Sequence, residues 1–320
     1  MSAVIHVWLA RPSIVFKQQH CSTSRELADR YAATIGSSGK LYERITRFRR
    51  VEDAERTSDT SQLGHNLTRA GTGTLLGRLM LERLLQSQLG LPLTSCTLEY
   101  TAAGRPHLVR ILVHQTGDSR LTGLTDTTAQ GGTQAMQFNI AHDKDLVALA
   151  WTISNVQLGV DVMQDGRVPW STASEPRTED IDEFVEVLTE HVSNHQAYLL
   201  RVQPLTRCWQ LTSDERALMD GSPSAAARLE RALTLWTLKE AYVKALGEGL
   251  HFPLATVSFT GALEATEGLS HREIMLHGKL LDGWQAYTIK HGGYQIAVAA
   301  HSGMDVLLES VDAQVQTVPE

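Results

Sequence analysis

The sequence predicts an α/β protein of the α+β kind, built as two similar half-domains related by a pseudo-two-fold axis with a ligand cleft between them. Three observations lead there. The chain has 320 residues, about two domains' worth. Helix-period and strand-period segments follow one another along it. The same order of segments also occurs twice. In the first half, Leu75 to Leu89 places Leu75, Leu76, Leu79, Met80, Leu84 and Leu85 at helical spacing, then runs through Gly90-Leu91-Pro92-Leu93 into strand-like Cys96 to Tyr100. In the second, a helix over Leu229 to Leu246 runs through Gly249-Leu250-His251-Phe252-Pro253-Leu254 into strand-like Thr256 to Phe259. Farther on, His142 to Ala150 is echoed by His291 to Ala299, each a turn followed by a β-like run. The repeat divides the chain into residues 1–155 and 156–320. A groove between two such halves is a natural place for a ligand.

Composition narrows the class. Apolar residues are 42% and charged residues 20%, which excludes a coiled coil, a collagen-like chain and wholesale disorder. No apolar run approaches the ~20 residues that span a bilayer, and the start of the chain lacks the basic region of a leader, so no membrane association is expected. With 29 basic against 36 acidic residues, net −7, nucleic acid is not the expected partner. Cys21, Cys96 and Cys208 are widely spaced and lack paired metal spacing; they read as packing residues in a reduced, cytoplasmic compartment. Val51 to Gly73 and Gln115 to Gln137 read as polar loops, and the ends, Met1-Ser2 and Gln314 to Glu320, as frayed. Ile181 to Leu200 reads as a helix with surface histidines His191 and His195. Leu211 to Asp220 reads as a short helix capped by Thr212 or Ser213.

Two features carry chemistry. Lys40 to Arg50 holds five basic residues (Lys40, Arg44, Arg47, Arg49, Arg50) and one acid, which reads either as a solvated helix face or as a local anion site. The helix over Leu229 to Gly247 is apolar around almost its whole circumference, so it is expected to be buried. Glu240 and Lys244, four residues apart on it, line up with Leu233 and Trp236. An exposed pair of this kind is worth only a few tenths of a kcal/mol. A desolvated one needs a partner or a role. Asp161 sits in a second apolar run, among Val160, Val162 and Met163, and also needs a cation. A strand Asp and a helix Glu that converge make a hard-oxygen site of the kind Mg²⁺ takes. With an adjacent Lys and an upstream Arg cluster, the pattern reads as phosphoryl transfer or pyrophosphate binding.

Gly159-Val160-Asp161 together with Trp236-Thr237-Leu238-Lys239-Glu240-Ala241-Tyr242-Val243-Lys244 resembles the two-part signature of the 4′-phosphopantetheinyl transferases, in particular the two-lobed class with human and fungal members. Gly104-Arg105-Pro106 resembles the family's Gly-Lys-Pro, and Phe138-Asn139-Ile140-Ala141-His142 its Phe-Asn-x-Ser-His. The order holds from about Leu41 to Ala300. The resemblance implies the pseudo-two-fold pair of lobes. It also implies transfer of the phosphopantetheine arm of coenzyme A to a serine of acyl or peptidyl carrier protein domains, with release of adenosine 3′,5′-bisphosphate. By the same resemblance, Asp161 and Glu240 hold Mg²⁺, Glu240 is the candidate general base, and Lys244 contacts the phosphate and helps draw off the serine proton. His142 and the Arg44 region bind the 3′-phosphate, and Arg105, with Pro106 and Asn139, holds other parts of the coenzyme. The carriers implied are those of α-aminoadipate reductase, polyketide synthases and non-ribosomal peptide synthetases, and the chain is expected to be a monomer.

The sequence also departs from the family pattern. Met163 stands where many members have a second acid, leaving water or Asp143 as the third metal ligand. Ala141 replaces a Ser, and Tyr100 stands where an Arg is usual. Arg105 for Lys keeps the charge and changes its geometry. The alternative reading is a non-catalytic coenzyme A or carrier-binding module.

Overall fold

The computed structural model describes residues 4–16, 29, 31, 69–93, 96–100, 106–111, 136–166, 168, 176–189, 211–248, 252–261, 268–301 and 305–310. The elements are β1 (Val4–Ala10), α1 (Pro12–Val15), α2 (Arg69–Leu89), β2 (Cys96–Tyr100), β3 (Pro106–Ile111), β4 (Met136–Asp143), β5 (Leu146–Ile153) and β6 (Leu158–Gln164). They continue with α3 (Thr178–Thr189), α4 (Ser213–Asp220), α5 (Ala225–Leu246), β7 (Val257–Phe259), β8 (Gly268–Leu276), β9 (Lys279–His291), β10 (Tyr294–Ala300) and β11 (Asp305–Ser310). The chain forms two compact units. One is Val156–Val306 with Met1–Ile5 and Tyr100–Arg105; the other is His6–Glu99, Pro106–Asn155 and Leu307–Glu320.

In the unit that begins at His6, the sheet order is β11-β1-β5-β4, and β2 pairs with β3 in a separate ribbon. α2 lies on β4 and β5. Its expected apolar positions, Leu75, Leu76, Leu79, Met80, Leu84 and Leu85, are all buried, packed with Trp8, Phe138, Val147, Leu149 and Trp151. Each such side chain stabilises the fold by roughly 1.5–3 kcal/mol. The helix starts at Arg69, earlier than its apolar stripe suggests, so the end of the supposed 51–73 loop is helical. Its first turns carry glycines and threonines, weak formers whose place in a helix is set by packing rather than propensity.

In the unit that contains Val156–Val306, the sheet order is β6-β10-β9-β8-β7, with β6, β10, β9 and β8 joined by antiparallel ladders. α5 covers β6 and β10 and is flanked by α3 and α4. Its N-cap is Ser224, whose hydroxyl accepts from the Ala227 N–H at 3.1 Å, and it ends at Gly247, whose φ of 76° is the left-handed conformation a helix stop favours. Of the two candidate caps for α4, Thr212 is the cap: its hydroxyl accepts from the Glu215 N–H while the Glu215 carboxylate accepts from the Thr212 N–H.

The two units share one connectivity. Each has a first strand, a covering helix and a hairpin whose last strand returns antiparallel beside the first: β1, α2, β4–β5 in one and β6, α5, β9–β10 in the other. The hairpin turns are two-residue turns with positive φ, Lys144 (49°) in one and Gly292 and Gly293 (57° and 82°) in the other. Their registers pair Asp143 with Leu146 and His291 with Tyr294, so the structural counterpart of His291 is Asp143, one position from where the sequence echo places it. The helix read at Ile181 to Leu200 is α3, which begins at Thr178; His191, His195, Cys21 and Cys208 lie outside the described residues.

The fully buried Leu79 anchors α2 to its sheet. Leu79→Ala is expected to cost about 2–5 kcal/mol, read as a lower urea midpoint with an unchanged slope.

Candidate active site

The site grows from one close approach. Along β6, Gly159 and Asp161 face the covering helix. A Cβ built on Gly159 would lie 2.0 Å from the Ala241 carbonyl oxygen and 2.4 Å from the Ala245 nitrogen, so α5 rests its backbone directly on the strand. Only glycine permits that distance. Two residues farther on, the side chain of Asp161 reaches the same stretch of helix, and the Lys244 ammonium donates to Asp161 Oδ1 at 2.5 Å. Asp161 is 10% exposed at its side chain and Lys244 31%. Glu240, one turn before Lys244 on the same helix face, completes the cluster.

Electrostatics ties the three groups. Burial, and then the charge of Asp161, push the Glu240 carboxyl up to about 7, with Lys244 pulling the other way. Burial alone would lower the Lys244 ammonium, but the charges of Asp161 and Glu240 and the hydrogen bond to Asp161 outweigh it, and the group is raised. Lys244 therefore stays cationic, while Glu240 titrates in the range where a carboxyl both accepts and gives up protons at neutral pH. Two carboxylates facing one ammonium leave the ionised cluster short of positive charge.

The other residues singled out in the sequence sit elsewhere. Arg44 and Arg105 lie outside the described residues, and Pro106 opens β3. Asn139, His142 and Asp143 are on β4. Asn139 is 4% exposed and faces away from α2, whereas His142 lies on the α2 side; three residues apart on a strand, they point to opposite faces. The His142 ring rests on α2, where a Cβ on Gly73 would come within 2.8 Å of it and Thr74 Oγ1 is 3.5 Å from its Nε2. That glycine seat was not apparent from the sequence, although Gly73 and Gly77, four apart on the helix, form the pattern that marks it. Among the described residues no group of three or more His, Cys, Asp or Glu side chains is placed to hold a metal; the Asp161–Glu240 pair is the acidic cluster the site offers.

A second feature went unread in the sequence. Lys239, next to Glu240, is 4% exposed and forms an ion pair at 2.8 Å with Glu215 of α4, itself 2% exposed. The lysine was part of the signature but had no assigned role, and the glutamate looked like an ordinary capping residue.

Fold and site together define a class: an α+β protein with a buried two-carboxylate, one-lysine cluster suited to a charge-dense ligand. Residues 190–299 match the 4′-phosphopantetheinyl transferase superfamily, a range that holds Glu240 and Lys244 and begins beyond Asp161. Over those residues the chain is similar to that superfamily. It is 29% identical over 209 residues to a 4′-phosphopantetheinyl transferase of Paxillus involutus, across 60% of this chain and 68% of that one. It is 25% identical to the L-aminoadipate-semialdehyde dehydrogenase-phosphopantetheinyl transferases of Xenopus laevis and Homo sapiens, across 63% and 60% of this chain. It spans about half the length of those vertebrate relatives, 52% and 47%.

Two outcomes follow from the site. Gly159→Ala forces a Cβ into the α5 backbone and is expected to destabilise by at least about 3 kcal/mol, seen as a large drop in Tm. Glu240→Gln has the opposite effect in EDTA-treated protein. The folded-state value of Glu240, about 7, lies above its ordinary 4.5, so its ionisation erodes stability progressively as pH rises between the two. The variant should equal the parent below about pH 4.5 and exceed it at pH 8 by up to about 3 kcal/mol, as measured by denaturant titration at both pH values.

Proposed function

We propose that this chain transfers 4′-phosphopantetheine from coenzyme A to a serine of an acyl or peptidyl carrier protein domain, releasing adenosine 3′,5′-bisphosphate. The observation that supports it most is the meeting of Asp161, Glu240 and Lys244 where α5 rests on β6. A module that only bound the coenzyme has no need of a carboxyl held near neutrality beside a charged lysine, so the non-catalytic reading is not favoured.

The donor set fits Mg²⁺. Asp161 and Glu240 are hard oxygen donors, and burial together with their mutual repulsion raises the Glu240 carboxyl, a cost that a divalent cation relieves. In this reading they hold the ion, and water or Asp143 fills the third position, where Met163 offers no oxygen. When bound, Mg²⁺ would supply charge neutralisation for the pyrophosphate linkage of coenzyme A and for the bisphosphate that leaves. The protein groups do the rest. Glu240, directly or through a water, accepts the proton of the carrier serine, whose hydroxyl is otherwise a weak nucleophile. The serine oxygen bonds to the pantetheine-side phosphorus, the bond from that phosphorus to the bridging oxygen breaks, and the bisphosphate departs with the electron pair. Lys244, kept charged by its two acidic neighbours, holds the phosphate in place. Arg44, Arg105, Pro106, Asn139 and His142 complete the proposed coenzyme-binding set.

The names of the vertebrate relatives tie them to aminoadipate-semialdehyde dehydrogenase, and carriers of that reductase, of polyketide synthases and of non-ribosomal peptide synthetases belong to the same proposal. So do monomeric state and a cytoplasmic location. No helix among the described residues is long and apolar enough to cross a membrane.

The test is intact-mass spectrometry of apo carrier proteins incubated with this protein, coenzyme A and Mg²⁺. A gain of one phosphopantetheine, abolished by EDTA and by Glu240→Gln, is the expected result. Absence of any gain across carriers of all three kinds, with coenzyme A bound, would overturn the proposal.

A further inference from the structure

α5 poses a geometric problem that hydrophobic burial does not solve. Ala232 through Lys239 are eight consecutive buried residues, more than two full turns, so the helix is enclosed on every side. On such a helix apolar burial alone marks no solvent-facing side, and the seat of Ala241 and Ala245 on Gly159 fixes its rotation only near that contact. Glu240 and Lys244 nevertheless have to point at Asp161. Directional contacts add to packing in holding that rotation, and the most complete of them is at Lys239.

The Lys239 ammonium lies 2.8 Å from Glu215 Oε2 and donates to the carbonyl oxygens of Leu254, at 2.9 Å, and Val257, at 2.7 Å. Three acceptors meet the three N–H donors of an ammonium. Each acceptor sits on a different support. Glu215 is fixed in the first turn of α4 by the reciprocal cap with Thr212, whose N–H donates to Glu215 Oε2 at 2.8 Å. Leu254 begins the single 3-10 turn after α5, and Val257 opens β7. Lys239 thus ties the helix, immediately before Glu240, to three elements that are not part of the Asp161 cluster. A buried ion pair of this kind contributes little stability over an apolar pair of similar volume. What it does supply is direction.

We propose that Lys239 and Glu215 are positioning residues: the buried tie they form sets the rotation of α5 and thereby aims Glu240 and Lys244 at Asp161. This rests on the transferase reading above, so its test includes a measurement independent of turnover. Two variants separate aiming from stability. K239M/E215M replaces the pair by apolar side chains of similar size and leaves no buried charge unmatched. Glu215→Asp keeps both charges and shortens the tie by one methylene.

In both variants kcat for carrier modification, measured well below Tm and per mole of folded protein, should fall about tenfold to a hundredfold, with KM for coenzyme A within about twofold. The Lys244 ammonium signal in ¹H–¹⁵N spectra, protected in the parent by its ion pair with Asp161, should shift or broaden in the same variants without any coenzyme present. Folded variants that keep the parent kcat and the parent Lys244 signal would overturn the inference and leave the pair a packing feature only. An inactive parent whose Lys244 signal still responds to the variants would overturn the transferase reading and sustain the tie. Should K239M/E215M fail to fold, Glu215→Asp decides by the same two readouts.

Discussion

Everything distinctive in this protein depends on the contact between β6 and α5 at Gly159. A missing side chain lets the backbone of the helix settle on the strand, with a hypothetical Cβ only 2.0 Å from the Ala241 oxygen. At that separation the Asp161 carboxylate, two residues along the strand, reaches Lys244 across the interface at 2.5 Å. With a larger residue at 159 the helix would ride higher and the short contact from strand to helix would open. The site is thus a consequence of how closely two regular elements pack, not of a loop folded over them.

The unit around α5 handles its buried charge in two ways. At Lys239 and Glu215 positive and negative match one for one, and carbonyl oxygens take up the remaining donors. At Asp161, Glu240 and Lys244 they do not match: two acids face one base, and burial, with the charge of Asp161 added to it, lifts the Glu240 carboxyl to about 7. The balanced pair is inert and directional; the unbalanced trio invites a cation or a proton. Adjacent residues, Lys239 and Glu240, carry the two behaviours on the helix, because successive side chains diverge by about 100° and enter different surroundings.

The same connectivity, used twice, carries different loads. Counting from the hairpin turns, Leu149 corresponds to Ala297, and their neighbours on the first strands are Trp8 and Asp161. In one unit that place holds an indole in the core whose N–H donates to Glu309; in the other it holds the carboxylate of the site. Glycine plays a parallel part in both. Gly73 and Gly77 let His142 and Ile140 of β4 press against α2 as Gly159 lets β6 press against α5.

Much of this was legible in the sequence. Apolar periodicity located α2 and α5, turns followed by β-like runs located the second strand of each hairpin, and the Asp161 and Glu240–Lys244 motifs pointed to the proposed chemistry, because each of these signals is local. Helix starts were missed by several residues: in α2 packing extends the helix over Gly and Thr, and in α5 a capped run of Ala and Arg is helical by propensity but carries no apolar stripe. The repeat was visible as an order of segments, but its register was off by one, because a two-residue turn fixes pairing through hydrogen bonds that sequence similarity does not record. Only the tertiary structure decided the partners of the charges. Sequence spacing suggests Glu240 for Lys244, four residues away; the ammonium instead hydrogen-bonds Asp161, 83 residues distant. Lys239 finds Glu215 of α4 and the carbonyls of Leu254 and Val257, from two separate segments, in the same way. A residue's type and period are written into its neighbourhood along the chain, whereas the choice among several possible ionic partners is made by distance and burial, which exist only once the segments have packed.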